Sequence, residues 1–527
     1  MKPKAAILID NLKLKHWQKE ALDVASKKID IVLVLNCKNT FTKKNYIKYF
    51  LYYLLNIFSL KNSETKNKKY ENSNIEIFNF NSSYNGMWQS IPQEGYEEIT
   101  KKKVNLIIKF GMNLLKIDEK FSNLTFLSFH HGDPSKYRGR PAGFYEILNG
   151  ELTSGIIVQK LSNQIDAGKI FAFAESKVIN YSYKETAKNF YKNSKHLLSK
   201  AIDNLIENKD INNKRNGKNF KLPNNLTVIK FIYLLISNKI KRIGYGLFFE
   251  KKWRIAIAPY ELNFKKDQKI SLKNITNIAI SPKYNFYADP FFSMDGKSIR
   301  YEALDNKSGL GDIIQIPIQN LKKQKKILSG LHYSYPLSFI YKDKEYLLPE
   351  VASHSPQYIF SLNEENNEKF FIRGLEDKRI VDSTIIEVNN YWFLFFGEKN
   401  SADTQLNLWF SESPFGVFKP HPETPIAISP KIARMGGALV KNLNGLFRFG
   451  QNNSGAYGES LTVLKIIKLS PTEYLEKNVG SLCIDDFKGP HSLSINAQSK
   501  KILFDYYEDK FSLFAGIRRI KSLLSKK

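Results

Sequence analysis

Between Ser128 and Ile170 the chain reads SFHHGDPSKYRGRPAGFYEILNGELTSGIIVQKLSNQIDAGKI. A histidine doublet, an Arg-Gly-Arg loop and an Asp-Ala-Gly turn fall within this one stretch. An imidazole titrates near neutral pH, so His130 can serve as a general acid or base. Asp166 could orient that imidazole and raise its basicity, as a carboxylate does in many His/Asp pairs. Ser128, or backbone N–H groups nearby, could donate to an oxyanion as a tetrahedral intermediate forms. Such a set suits acyl-type transfer without a covalent intermediate, and many transferases and hydrolases use one.

The elements that would position these groups read as an α/β, mostly parallel sheet. Ile75 to Phe80, Val104 to Lys109 and Leu124 to Phe129 resemble strands, and Ala5 to Ile9 and Ile31 to Leu35 are short apolar runs without alternation. That pattern suits strands buried on both faces. Ligands of open α/β sheets bind outside the carboxyl ends of strands. Two such ends, at Phe110-Gly111-Met112 and at His130, point to one crevice. No G-x-G-x-x-G follows the first strand, which disfavours a dinucleotide. Leu12 to Ala25 has helical spacing. Tyr46 to Leu60 (YIKYFLYYLLNIFSL) reads as a buried helix or a partner surface, with a membrane role as the lesser reading. Ser182-Tyr-Lys-Glu185 is a capping box opening a helix to about Glu207. Lys209 to Asn225 is polar, basic and Pro/Gly-containing, the strongest linker in the chain. A helix from Leu226 to Ile243 follows.

From Trp253 the texture becomes all-β. A loose repeat, an entry turn followed by two strands, starts at Tyr287, Ser334, Val381, Met435 and Gly489. Five instances at this spacing predict a five-bladed propeller, with a β-sandwich as the lesser option. The expected boundaries are 1–208 for the α/β domain, 209–250 for a basic linker and helix, 251–515 for the propeller and 516–527 for a basic tail.

The 527 residues carry a formal charge of +29. The lysines are spread along the chain and no nucleic-acid-binding motif accompanies them, so the charge suits anionic substrates better than nucleic acid. Cys37 and Cys483 form neither a disulfide framework nor a zinc pattern, which fits a reducing cytoplasm. The start lacks the long apolar core of a signal peptide, and no segment reads as a membrane span. The expected location is cytoplasmic, with peripheral membrane contact through Leu226–Lys241 or Ile517–Lys527 kept open.

The motif order around His130 resembles the formyltransferases that use 10-formyltetrahydrofolate. The resemblance rests on His130, Lys136-Tyr-Arg-Gly139, Leu148-Asn-Gly-Glu151, Ser154-Gly155, Ile165-Asp-Ala-Gly168 and Phe110-Gly111-Met112, and covers about residues 1 to 175. It implies His130 as the catalytic base, Asp166 as its carboxylate and 10-formyltetrahydrofolate as co-substrate, with no metal. Phe110, Gly111, Met112, Ile165, Ala167 and Gly168 would line the folate. Two departures stand out. Ser128 occupies the place of the family's asparagine, and His131-Gly-Asp-Pro-Ser135 replaces Pro-Ser-Leu-Leu-Pro. His131, Asp133 and Arg138 are candidate substrate contacts, each with a structural alternative: a loop hydrogen bond, a turn before Pro134, and a loop brace.

The second half resembles the N-terminal-like domain of glucosamine inositolphosphorylceramide transferases, and through it five-bladed glycoside hydrolase propellers. Tyr287-Ala-Asp-Pro290, Gly309 to Ile313, Arg434-Met-Gly-Gly437 and Gln451 to Glu459 carry that resemblance. It implies saccharide contacts at Asp289, Asp382 and either Glu350 or Glu398, with binding preferred over cleavage. The combined expectation is an N-formyltransferase of polysaccharide biosynthesis acting on an amino sugar of a nucleotide- or lipid-linked precursor. The alternatives are a catalytically impaired carbohydrate-binding protein and a methionyl-tRNA formyltransferase-like enzyme. The acceptor and the oligomeric state are not legible in the sequence.

Overall fold

The computed structural model describes all residues except 1, 40–44, 72–73, 212–215, 261–263, 265, 352–356, 363–367 and 525–527. The chain divides into two compact units, Met1–Ile240 and Lys241–Lys527.

In the first unit a parallel core is built from β1 (Lys4–Asp10), β2 (Asp30–Cys37), β3 (Glu76–Phe80), β4 (Leu106–Lys109) and β5 (Thr125–His130). The order is β3-β2-β1-β4-β5, all parallel, and β7 (Thr153–Lys160) and β8 (Ile170–Lys177) extend the β5 edge antiparallel. β1 and β4 lie mid-sheet, and their residues Ala5 to Ile9 and Ile107 to Ile108 are fully buried, as continuous apolar strands covered on both faces must be. The helices are α1 (His16–Ala25), α2 (Tyr46–Ser59), α3 (Gln93–Lys101), α4 (Phe144–Leu148), α5 (Tyr183–Asn193) and α6 (Leu197–Ile206).

Three local expectations change. Ser182 Oγ does cap α5, accepting from Glu185 N, but the helix breaks at Ser194–His196 before α6. There Ser194 Oγ bonds back to Phe190 O, a local hydrogen bond that competes with the helix ladder. The segment read as a linker supplies β9 (Lys218–Phe220), which pairs in parallel with β6 (Tyr137–Gly139). Helix α2 is not a buried helix: only Tyr52 is buried, while Ile47 is 90% exposed. A longer helix, α7 (Asn225–Phe248), follows β9. No helix among the described residues is long and apolar enough to cross a membrane.

The second unit consists of the end of α7, β-sheets and a C-terminal helix, α8 (Ala515–Leu524). One sheet pairs the unit's first strand, Phe249–Pro259, with its last, Lys501–Phe511, along an eleven-residue antiparallel register. Four further sheets start from Tyr284–Phe292, Ser334–Tyr341, Ile380–Val388 and Arg434–Met435. The sequence repeat maps onto these sheets. Its entry turns become bulged first strands in which Asp289, Tyr335 and Asp382 take left-handed backbone, φ +48, +47 and +47. For residues with a Cβ this is uncommon and needs support from neighbours.

Candidate active site

Register, more than sequence proximity, assembles the first site. Ser128 pairs with Lys109 on one side and Gln159 on the other, and paired residues project to the same face of a sheet. His130, two residues along, shares that face. One surface at the carboxyl end of β5 therefore carries Lys109, Ser128, His130 and Gln159.

Asp166 completes it from the loop between β7 and β8, in left-handed backbone at φ +48. Its Oδ2 lies 3.3 Å from His130 Nδ1 and accepts the Gly139 amide at 2.8 Å. Its Oδ1 accepts the Gln159 side-chain amide at 3.2 Å, and Gln159 Oε1 in turn accepts the Gly168 amide at 3.2 Å. Arg138 braces the same loop, donating to the Ile165 carbonyl through Nε at 3.1 Å and Nη2 at 2.7 Å. The Tyr-Arg-Gly and Asp-Ala-Gly motifs are thus two halves of one clamp, which is why both recur in one stretch. Gly168 is obligatory there, since a Cβ would fall 1.7 Å from the Lys160 carbonyl.

At the end of β4, Gly111 approaches Asp10 so closely that a Cβ would lie 2.5 Å from Oδ1, and that oxygen accepts Met112 N at 2.9 Å. Burial pushes the Asp10 carboxyl up, against the Met112 hydrogen bond. Burial also brings the Lys109 ammonium down to about 8, with Asp10 and Asp166 opposing. A lysine that can shed its charge near neutral pH, beside Ser128, was not singled out from the sequence. The signal would have been its position at a strand end next to the Phe-Gly-Met turn.

Several expected contacts also have partners within the protein. His131 sits against Trp17, Phe129, Phe190 and Tyr191 and bonds Ser194 Oγ at 3.0 Å. Burial lowers its pKa to about 3, and it lines the cavity that adjoins His130. Asp133 Oδ1 is engaged by Ser135 N and Oγ, at 2.9 and 2.7 Å, as the turn former of its loop. Phe110 stacks on Phe129, and Met112 is buried.

His130 Nε2 lies 3.1 Å from the Tyr137 carbonyl. The adjoining cavity, bounded by Arg138, Tyr145, Glu146 and Phe220, measures about 10 Å³, room for about one water. Strand β9 narrows it: Phe220 stacks on Tyr137 and Tyr145 with centroids 5.4 and 4.2 Å away. In the cavity wall, burial raises the Glu146 carboxyl to about 7, with Ser154 Oγ donating to it at 3.0 Å. Sequence reading had passed over this residue.

The second unit buries a separate polar centre. His491 stands between two carboxylates, Nε2 3.1 Å from Asp289 and Nδ1 2.7 Å from Asp505. Burial alone would depress its pKa, but the two carboxylates outweigh burial and raise it to about 10. Asp505 also accepts the amides of Asp289, His491 and Ser492, each at 3.0 Å. Asp382 shows the same device, its amide donating to Glu350 at 2.9 Å while Arg434 and Gln451 engage its carboxylate. Burial pushes Glu302 and Glu350 well above the carboxylate range, reinforced by Asp289 and Asp382 respectively. The Arg434 guanidinium lies 5.1 Å over the ring of Tyr457, which is 37% exposed. Glu398 is not brought here. It ends its strand half-exposed and pairs with Lys378 at 2.9 Å, so of the two glutamates weighed, Glu350 belongs to the centre. Glu302, His491 and Asp505 went unnoticed in the sequence, although His491 stands in the fifth repeat.

The chain is similar to known proteins over parts of its length. Rice (Oryza sativa subsp. japonica) glucosamine inositolphosphorylceramide transferase 1 is 31% identical over 220 residues, 39% of this chain and 29% of that protein. The match thus spans under a third of that relative's length. The bifunctional polymyxin resistance protein ArnA of Wigglesworthia glossinidia brevipalpis is 26% identical over 117 residues, 21% of this chain and 17% of that one. A crystal structure of phosphoribosylglycinamide formyltransferase from Anaplasma phagocytophilum aligns with 40% of this chain and 89% of its own, at 11% identity and a TM-score of 0.29. Residues 271–500 match the family described as glucosamine inositolphosphorylceramide transferase 1, N-terminal.

Proposed function

We propose that the chain is an N-formyltransferase whose first unit moves a formyl group from 10-formyltetrahydrofolate to the primary amine of an amino sugar. Its second unit is read as a five-bladed propeller that binds the saccharide. The observation that carries the reading is the His130–Asp166 pair, fixed from three sides by Gly139, Gln159 and the Arg138-braced loop. The acceptor's amine must lose a proton to attack the formyl carbon. His130 takes that proton, and Asp166 holds the ring and balances its charge. As the carbonyl oxygen becomes an oxyanion, Ser128 and Lys109, on the same sheet face, supply a donor and a cation. Breaking the old carbon–nitrogen bond returns a proton to the departing folate nitrogen, and His130 gives it once Nε2 has left the Tyr137 carbonyl. Gly111 and Gly168 let their loops pack directly against Asp10 and the Lys160 carbonyl, which holds both loops beside the pair.

An amino-sugar acceptor is supported by the rice relative, whose name joins glucosamine to a phosphorylated lipid. The propeller is supported by the pairing of first and last strands in one sheet, which would close a ring of five sheets. It is supported too by carboxylates from different sheets meeting at one buried centre, and a partly exposed Tyr457 beside it suits a sugar ring.

A second reading draws on the small cavity beside His130. If β9 never leaves β6, the first unit does not turn over and the chain is a carbohydrate-binding protein. Incubation with labelled 10-formyltetrahydrofolate and a panel of nucleotide-linked amino sugars decides. N-formyl product that vanishes in His130→Ala supports transfer, and glycan binding without any product supports the second reading.

A further inference from the structure

Helices α2 and α7 meet in the first unit. Asn225 donates to Ile47 O and accepts from Leu51 N, both at 3.0 Å, and Tyr52, Val228 and Phe231 share one buried cluster. Each helix thus has one apolar face satisfied. Each also has a second apolar face turned to solvent. On α2 this face carries Ile47, Phe50, Leu54 and Phe58, and on α7 it carries Leu226, Ile229, Tyr233, Ile236 and Ile240. The α7 spacing of three and four residues marks one stripe along the helix. Contiguous exposed apolar surface of this kind on a folded unit marks an interaction site.

Charge identifies the occupant. Between Asp30 and Glu64 there are five lysines and no acidic residue, and between Asp210 and Glu250 eight Lys or Arg and again none. Two copies of this surface would face each other with like charge and no counter-ion, which disfavours a self-paired seam despite the heptad-like spacing. An apolar stripe with aromatics, flanked only by cations, complements an anionic bilayer surface. A second observation points the same way. Beside the carboxyl end of α2, at Asn56 and Leu60, lies a cavity of about 810 Å³ into which Lys15, Lys61, Lys66 and Lys184 converge. None of the four forms an ion pair with a described carboxylate, which leaves their ammonium groups to a phosphate headgroup.

We infer that α2 and the first half of α7 dock the first unit on an anionic phospholipid surface, with the lysine-lined cavity taking a phosphate headgroup. The inference stands independently of formyl transfer. It is tested by sedimenting the full chain with vesicles of phosphatidylcholine alone or mixed with phosphatidylglycerol. Variants are Ile47→Asp/Phe50→Asp/Ile229→Asp/Tyr233→Asp and Lys61→Glu/Lys184→Glu, with thermal melts as the check on folding, since all four apolar positions are over half exposed. The expected result is binding to the mixed vesicles that weakens at least ~10-fold without phosphatidylglycerol and in either variant, and that falls with salt. Three results overturn it. One is wild-type protein left in the supernatant, and a second is binding unchanged in both folded variants. The third is a dimer in light scattering that the apolar variant dissociates, with no vesicle binding.

Discussion

Lys109 and Ser128 are register partners on adjacent parallel strands, so their side chains leave the sheet on the same face as His130. The position that the formyltransferase motif gives to asparagine is thus a serine backed by a cation. Lys109→Met should lower the formyl-transfer kcat about 100-fold and leave the KM for folate nearly unchanged. A loss in KM alone would assign Lys109 to binding. The same residue affects stability. Its folded pKa, about 8, is below that of the unfolded chain, so the unfolded state holds more protons between there and about 10.4. Wild-type stability therefore gains from this group as pH rises through that window. Lys109→Met should melt above wild type at pH 7, and the gap should close near pH 10.

Asp166→Asn keeps an oxygen for the Gly139 amide but loses the charge facing His130. Turnover should fall 10²- to 10⁴-fold, roughly the range for a disabled general base, with little change in melting temperature. Activity within twofold of wild type would remove the pair from the mechanism.

His491 is charged between Asp289 and Asp505, with a folded pKa of about 10. Its contribution to stability is complete below the unfolded value near 6.5 and is lost as pH rises through 10. His491→Gln strands two buried carboxylates, a loss on the order of 3 kcal/mol or more. Chemical denaturation of the two proteins from pH 6 to pH 10 should show the wild type losing its advantage as the pH climbs.

Tyr457 lies partly exposed beside Arg434 and the His491 ring, whose centroid is 5.5 Å away. Tyr457→Ala should weaken saccharide binding by roughly 10-fold, a common loss for truncating a central aromatic contact. Calorimetry with a glucosamine-containing oligosaccharide reads it, and equal affinities would move the saccharide site elsewhere.

By itself the sequence determined the succession of buried parallel strands, because apolar runs without alternation have few other uses. It also determined the clamp motifs, Tyr-Arg-Gly and Asp-Ala-Gly, and the period of the β repeats. Tertiary structure alone decided the rest. Lys109 and Gln159 join Ser128 through strand register, and Glu302, His491 and Asp505 meet Asp289 through pairings of residues as much as 216 positions apart. A polar, basic segment reads as a tether until its backbone hydrogen bonds are found on β6. Periodicity shows that α2 is apolar but is silent on which face finds a partner. Burial is a property of what packs against a residue, and in a chain of this length those neighbours are mostly remote in sequence.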